Sequence, residues 1–508
     1  MNFNTILKQQ NNVVNHEGEK TYLLTPEIEL YTVAVTSVLS DTFYEPGDAR
    51  LKRIVELVPK VSPEFVAKLA VYTRTEMHLR SVPLLLVVAL AKVHSGDDLV
   101  SRTVEKVVMR ADEIMQLLMA YQLLNPSSGS IKKLGRLSHQ IQVGLQRAFN
   151  NFDEYQFAKY NRSNLEVKLR DALFIVHPKA KDAAQQAIFD KIVNGKLAIP
   201  YTWETELSAL GQQHFETNDD KKDAFRMKWE ELLQSHRLGY MALLRNLRNI
   251  LEAGVSPVII DSLCRNLSAI DNVLNSKQLP FRFFAAYREV QPIESFSTPL
   301  VLAALEEAMK TSAGNITGIG KDDRLVIACD VSGSMFSPIS FHSKVRNFDI
   351  GIVLAMLLRS RCNNVISGIF GNVWKAVNMP GDNILPAIQL MESREGEVGY
   401  STNGYKVLEW LISKGEVVDR VMMFTDCQMW NSCGDGNTFA KLWSEYKAIA
   451  PEARLYLFDL SGYGQMPLNM SQGDVFLIAG WSDRIFDVLA KIENGKEAIE
   501  QIYTVDLK

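Results

Sequence analysis

The stretch "VIACDVSGSM" (326–335) sets an acid at the end of an apolar run and two serines at alternate positions after it. In an extended loop the side chains of Asp330, Ser332 and Ser334 fall on one side and can converge on one point. "RVMMFTD" (420–426) ends in a second acid, Asp426, and "STN" (401–403), which contains Thr402, stands before a helical stretch between the two. Two carboxylates with hydroxyl groups form an all-oxygen donor set. Such a set suits a hard divalent cation, Mg²⁺ first among them, held by one or two carboxylates with positions left for water or a ligand. Capping of the following turns by Asp330 and Asp426 is the plainer alternative, and it leaves the serine spacing unexplained. Catalytic readings fit less well. A phosphoryl-transferring aspartate wants a second acid two residues on, where Ser332 stands. There is no GxSxG elbow, no GxxxxGK[ST] loop and no histidine close enough in sequence to serve as a base. Metal binding without chemistry is the expectation.

Positioning those residues requires a sheet. "RLVIACD" (324–330), "NVISGIF" (364–370), "RVMMFTD" (420–426) and "ARLYLFDL" (453–460) read as buried strands. The stretches 343–360, 403–413, 437–449 and 482–493 read as helices between or after them. Apolar strands separated by helices predict a parallel sheet covered on both faces, with ligands at the carboxyl ends of its strands. Both acids lie at such ends. Up to about residue 300 the pattern differs, running helix after helix. "LKRIVELV" (51–58) puts Leu51, Ile54, Val55 and Val58 on one face. "SPEFVAKLAVYTRTE" (62–76) opens with Ser62 as N-cap and Pro63 in the first turn. "RSVPLLLVVALAKV" (80–93), "VEKVVMRADEIMQLLMAYQLL" (104–124) and "GYMALLRNLRNILEAG" (239–254) continue it. Short helices on short polar connections predict an α-solenoid, although no fixed repeat length emerges.

A chain of 508 residues exceeds one ordinary core, so two or three domains are expected. Its start has no basic stretch followed by an apolar run, and "VPLLLVVALA" (82–91) is too short to span a bilayer, which together predict a cytoplasmic protein with no membrane partner. Five cysteines (264, 329, 362, 427, 433), none in a CxxC pair, fit reduced thiols and give no zinc site. The net charge of −4 argues against a nucleic-acid binder, but its distribution argues otherwise. Residues 1–300 carry 36 basic and 34 acidic residues, and the rest 19 and 25. Ser128–Lys179 holds nine basic residues against four acids, enough for a phosphate-binding patch or for a solvated helical face.

"DVSGSM", the "ST" at 401–402 and "FTD" (424–426) resemble the metal-ion-dependent adhesion site of von Willebrand factor A domains. That resemblance implies a cation held by Asp330, Ser332, Ser334, Thr402 and Asp426. Where the family often has GTD at its threonine, this chain has "YSTNG". The helical half is similar to the TROVE module of Ro ribonucleoproteins. The stretches that carry the likeness are "DTFYEPGDARLKRIVELV" (41–58), "RTEMHLRSVP" (74–83), "EYQFAKY" (154–160), "ALLRNLRNI" (242–250) and "LPFRFFAAY" (279–287).

The combined resemblance implies a TROVE ring of HEAT-like helical repeats over 1–315, followed by a von Willebrand factor A domain over 320–508. It implies a noncatalytic, monomeric RNA-binding protein that takes Y-like small RNAs on a basic outer surface. Single-stranded ends of misfolded RNAs would enter the ring, in RNA quality control with an exoribonuclease. Residue by residue, Lys159 and Arg162 fall on the outer surface and His177 matches the family's histidine before Pro178. Lys132, Lys133, Arg136, Lys168 and Arg170 share that basic stretch. Arg245, Arg248 and Asn249 would look into the hole, with Arg74, His78, Arg80 and Arg282 as further candidates. The competing role for each arginine is a salt bridge between neighbouring repeats. A reading of another class is a metal-dependent protein-interaction scaffold, in which a partner's acidic residue completes the coordination.

Overall fold

The computed structural model describes residues 12–14, 20–23, 25–36, 49–125, 137–161, 165–235, 238–276, 278, 280–313, 320–338, 345–360, 362–378, 383–426, 438–460, 465–466, 474–479 and 498–507. Two compact units emerge from the packing. One comprises residues 24–200 and 494–508, the other residues 1–23 and 201–493. The chain therefore crosses from one unit to the other three times.

The first unit is helical. Ser62 caps the helix Pro63–Thr75, its hydroxyl accepting from the Phe65 amide at 3.2 Å, and the apolar face of that helix is buried against Ser81–Val93 and Leu99–Val107. His139–Ala148 then packs on Leu99–Val107 so closely that a Cβ at Gly144 would lie 2.8 Å from the Ser101 carbonyl. The continuous helix expected over 104–124 is two helices, Leu99–Val107 and Ala111–Leu124. The break has a cause. The buried Glu113 carboxylate accepts from the Met109 and Arg110 amides at 2.9 and 3.0 Å and so turns the backbone out of the helix. The helix Ala498–Tyr503 returns to this unit: Ile502 is buried, the Tyr503 ring lies 5.3 Å from that of Phe65, and Lys68 donates to the Tyr503 carbonyl.

The second unit holds the later helices, from Trp203–Gly211 to Thr298–Ala313, and both sheets. Strands β1 (Asn12–Val14) and β2 (Lys20–Leu23), which were not expected from the sequence, pair antiparallel. The large sheet contains β3 (Arg324–Asp330), β4 (Asn364–Phe370), β5 (Trp374–Ala376), β6 (Arg420–Thr425), β7 (Arg454–Asp459) and β9 (Val475–Ala479), while β8 (Gln465–Met466) pairs with β2. Its order is β5-β4-β3-β6-β7-β9. All its pairings are parallel except β4–β5, so the expected parallel sheet carries one antiparallel edge strand. The four strands read from the sequence are present within a residue of their expected ends. The helix expected over 482–493 lies outside the described residues.

The last helices of the helical half are built into this unit. Glu306 on Thr298–Ala313 accepts from the first two amides of Ile384–Glu392, at 2.7 and 2.8 Å. Arg288 on Pro280–Val290 donates to the fully buried Asp349 at 3.1 Å and pairs with Glu392. Arg346 shares both acids, at 3.0 and 3.5 Å. Two guanidinium groups between two carboxylates leave none of the four charges uncompensated.

Candidate cation site and RNA-facing residues

Strand β3 has β4 on one side and β6 on the other, so the chain order reverses beside it. At such a switch point the loops leaving adjacent strands diverge and open a crevice at the carboxyl edge. Asp330 is the last residue of β3, and Asp426 follows β6 directly. Both carboxylates are fully buried. One oxygen of Asp330 accepts from the Ser332 amide at 2.8 Å, and the other from the Thr425 hydroxyl at 2.6 Å. Ser332 is buried while Ser334 is exposed, their hydroxyls 3.3 Å apart, so this loop leads from the acids out to solvent.

Thr402, 6% exposed, lies on the loop before the helix Tyr405–Lys414. That loop is tied to the one leaving β4. The Asn403 amide donates to the Gly371 carbonyl, its side chain donates to the Asn372 carbonyl, both at 3.0 Å, and the Ser401 amide donates to the Asn372 side chain at 3.0 Å. Gly371 permits the contact, because a Cβ there would overlap the Gly399 carbonyl.

Burial first, and then the neighbouring Asp426 charge, push the Asp330 carboxyl well above its ordinary range. Two buried acids facing one another are relieved by a cation. Their companions are hydroxyls rather than imidazoles or thiols, so the set fits a hard divalent ion. Among the described residues no three of His, Cys, Asp and Glu gather as a metal cluster, so a cation here must draw on those hydroxyls. Cys264, Cys329 and Cys362 are buried and outside any disulfide, and the Cys362 thiol donates to the Gly320 carbonyl at 3.3 Å.

Sequence reasoning missed Thr425, although "FTD" places it one residue from Asp426. It also missed Asp459, a third fully buried acid, which ends β7 opposite Thr425. The signal was available: "LFD" closes an apolar strand as "FTD" does.

The RNA candidates divide. Lys159, Lys168, Arg170 and His177 are exposed, and His177 takes a left-handed backbone (φ 52°) at the end of the helix Leu169–Val176. Lys132, Lys133, Arg136 and Arg162 lie outside the described residues. Arg74 is a correction. Its guanidinium donates to Glu113 at 2.9 and 3.2 Å and to the Val107 carbonyl at 3.0 Å inside the repeat, so it holds helices together instead of facing RNA. Arg80, half-buried, bonds Asp112 at 2.8 Å, and His78 and Arg282 are exposed. On the helix Tyr240–Glu252, Arg245 is exposed and makes no ion pair among the described residues. Arg248 bonds Glu289 at 2.9 Å, and Asn249 donates to the buried Asn246 at 2.9 Å.

The TROVE domain model matches residues 20–195 and 193–316, more than half of the chain. The chain belongs to the TROVE family. The two matched segments meet close to residue 200, where the packing also divides the chain. Among curated relatives, telomerase protein component 1 of Rattus norvegicus is 23% identical over 316 residues, and that of Mus musculus 23% over 325. Each match covers 49% of this chain but 12% of the relative's length. A solved structure of the Ro (RSR) protein of Deinococcus radiodurans aligns with a TM-score of 0.59 at 17% identity, over 92% of this chain and 99% of that one. This TROVE protein thus shares its fold, helical repeats followed by an A-type sheet. Its family is one of RNA-binding proteins. Among the described residues, no helix is long and apolar enough to cross a membrane.

Proposed function

We propose that this TROVE protein is a noncatalytic RNA-binding protein of RNA quality control. It binds Y-like small RNAs on the basic surface around Lys159, Lys168, Arg170 and His177, and single-stranded RNA ends near Arg245, and it works with an exoribonuclease in the cytoplasm. The observation that carries this reading is how charge is deployed between residues 137 and 179. Asp153 caps its helix through the Gln156 amide (2.7 Å), Glu154 bonds Lys191 (2.6 Å), and Asp171 accepts from the Lys168 amide (3.4 Å). Lys159, Lys168 and Arg170 meanwhile make no ion pair among the described residues, which leaves cations facing solvent for phosphates. A raised 260/280 nm absorbance ratio in the purified protein, with crosslinked RNA sequenced from the host, tests it. Protein free of nucleic acid and without affinity for structured RNA would end it.

Mg²⁺, in this reading, is held by Asp330, Ser332, Ser334, Thr402 and Asp426. It would supply a fixed positive centre able to accept one further oxygen ligand. The chain's own part is to hold the Asp330 carboxylate in place, through the Thr425 hydroxyl and the Ser332 amide, against the burial and the Asp426 charge that favour its proton, and to keep the loops in register through the Asn372–Asn403 staple. A metal-dependent scaffold is the second reading. It is favoured by Val373 and Tyr400, both about half exposed on the loops that carry Thr402 and its staple. A pull-down that depends on Mg²⁺ and fails with Asp330→Ala supports it.

A further inference from the structure

The basic surface carries a second feature that phosphate binding leaves unexplained. On the helix Glu154–Tyr160, Tyr155 is 51% exposed, and on Leu169–Val176, Phe174 is 48% exposed. Each ring has a cation four residues away on its own helix. Lys159 Nζ lies 5.9 Å from the Tyr155 centroid, and the Arg170 guanidinium lies 5.7 Å from that of Phe174. The order is reversed between the two helices, aromatic first in one and cation first in the other, but the spacing is the same. Four residues apart is one helical turn, so ring and charge share a face.

An exposed ring in a monomer needs no explanation when it stands alone. Two exposed rings, each beside a cation without an acidic partner among the described residues, form a repeated unit of π face and positive charge. That is the chemistry of a single nucleotide, a flat base next to a phosphate. In a duplex the base faces are stacked on one another and closed to protein, so only unpaired nucleotides can use both halves of the unit.

We infer that this surface stacks unpaired bases of the bound RNA on Tyr155 and Phe174, while Lys159 and Arg170 hold the adjoining phosphates. The inference rests on the proposed RNA surface and adds to it the structure that the RNA must present, a single-stranded interruption within or beside a stem. It predicts discrimination between paired and unpaired RNA outside any cavity.

The test compares a hairpin interrupted by unpaired adenosines, one replaced by 2-aminopurine, with the same hairpin fully paired. Tyr155→Ala with Phe174→Ala should weaken the interrupted hairpin about tenfold or more and leave the paired one unchanged. The quenching of 2-aminopurine that accompanies binding should also be lost. Tyr155→Trp with Phe174→Trp should retain both affinity and quenching. Equal weakening of the two hairpins, or no loss and no change in quenching, overturns stacking. Lys159→Glu with Arg170→Glu separates the two levels of the argument. If this variant weakens both hairpins while the alanine pair weakens neither, the basic surface stands and stacking fails. If it weakens neither, the surface itself fails and stacking with it. All four side chains are exposed, and circular dichroism of each variant verifies that the fold is kept.

Discussion

Asp330 is where burial and charge oppose each other most directly. Its carboxyl is pushed up to about 7, so as pH rises from about 4 the unfolded chain gives up this proton before the folded one does. Between those values the metal-free fold therefore loses stability. Mg²⁺ bound to the deprotonated pair, as proposed, would restore it. The gain in Tm on adding Mg²⁺ should grow between about pH 5 and about pH 8, and a gain independent of pH would separate the metal from these acids. Asp330→Ala should abolish Mg²⁺ binding in calorimetry and leave the affinity for structured RNA nearly intact, because the acids belong to one unit and Lys159, Lys168 and Arg170 to the other. A large loss of RNA affinity with folding unchanged would refute that division. Arg74 makes the opposite case. Removing it leaves the buried Glu113 carboxylate short of its partner, so Arg74→Ala should lower stability by about 3–5 kcal/mol in denaturant unfolding. The affinity of the folded protein for RNA should not change.

At the scale of elements, the basic segment that includes Glu154–Tyr160 and Leu169–Val176 should make RNA binding steeply salt-dependent. With about five phosphate contacts, log K falls against log[salt] with a slope of roughly −4 to −5. Reversing Lys159 and Arg162 to Glu should flatten it, and a wild-type slope near zero would remove the surface from consideration. Strands β3, β4, β6 and β7 were legible because each is a run of apolar residues bounded by polar ones. The closeness of Asp330 to Ser332 and of Ser332 to Ser334 was legible too, although Ser334 lies in a 3-10 turn, Gly333–Phe336, and not in the extended loop expected. What escaped was set by tertiary structure. The edge strand β5 is three residues long and is recruited only by pairing with β4. The break before Ala111 depends on a side chain, Glu113, reaching back to the backbone, which no periodicity records. The burial of Arg74 was equally hidden, because an arginine that faces RNA and one that bonds a glutamate inside a repeat look alike in sequence.

For the whole molecule, helix and sheet are not divided where the sequence pattern changes near 320. Glu306 and Arg288 bond the later helices into the unit that holds the sheet, and the terminal helix Ala498–Tyr503 belongs with the early helices. Ile502→Ala should cost about 2–5 kcal/mol and lower the Tm of the early helices, followed by hydrogen exchange of the amides in Pro63–Thr75. Unchanged protection there would detach the terminal helix from that unit. The three crossings of the chain have a consequence for anyone who cuts it. Ile199 is 87% exposed on the stretch between the units, which invites a protease. A single cleavage there yields fragments that each hold part of both units: one has β1, β2 and the early helices, the other has the sheet, the later helices and the terminal helix. Two bands in a denaturing gel should therefore run as one species in a native gel. Neither unit can be obtained as an uninterrupted piece of the gene.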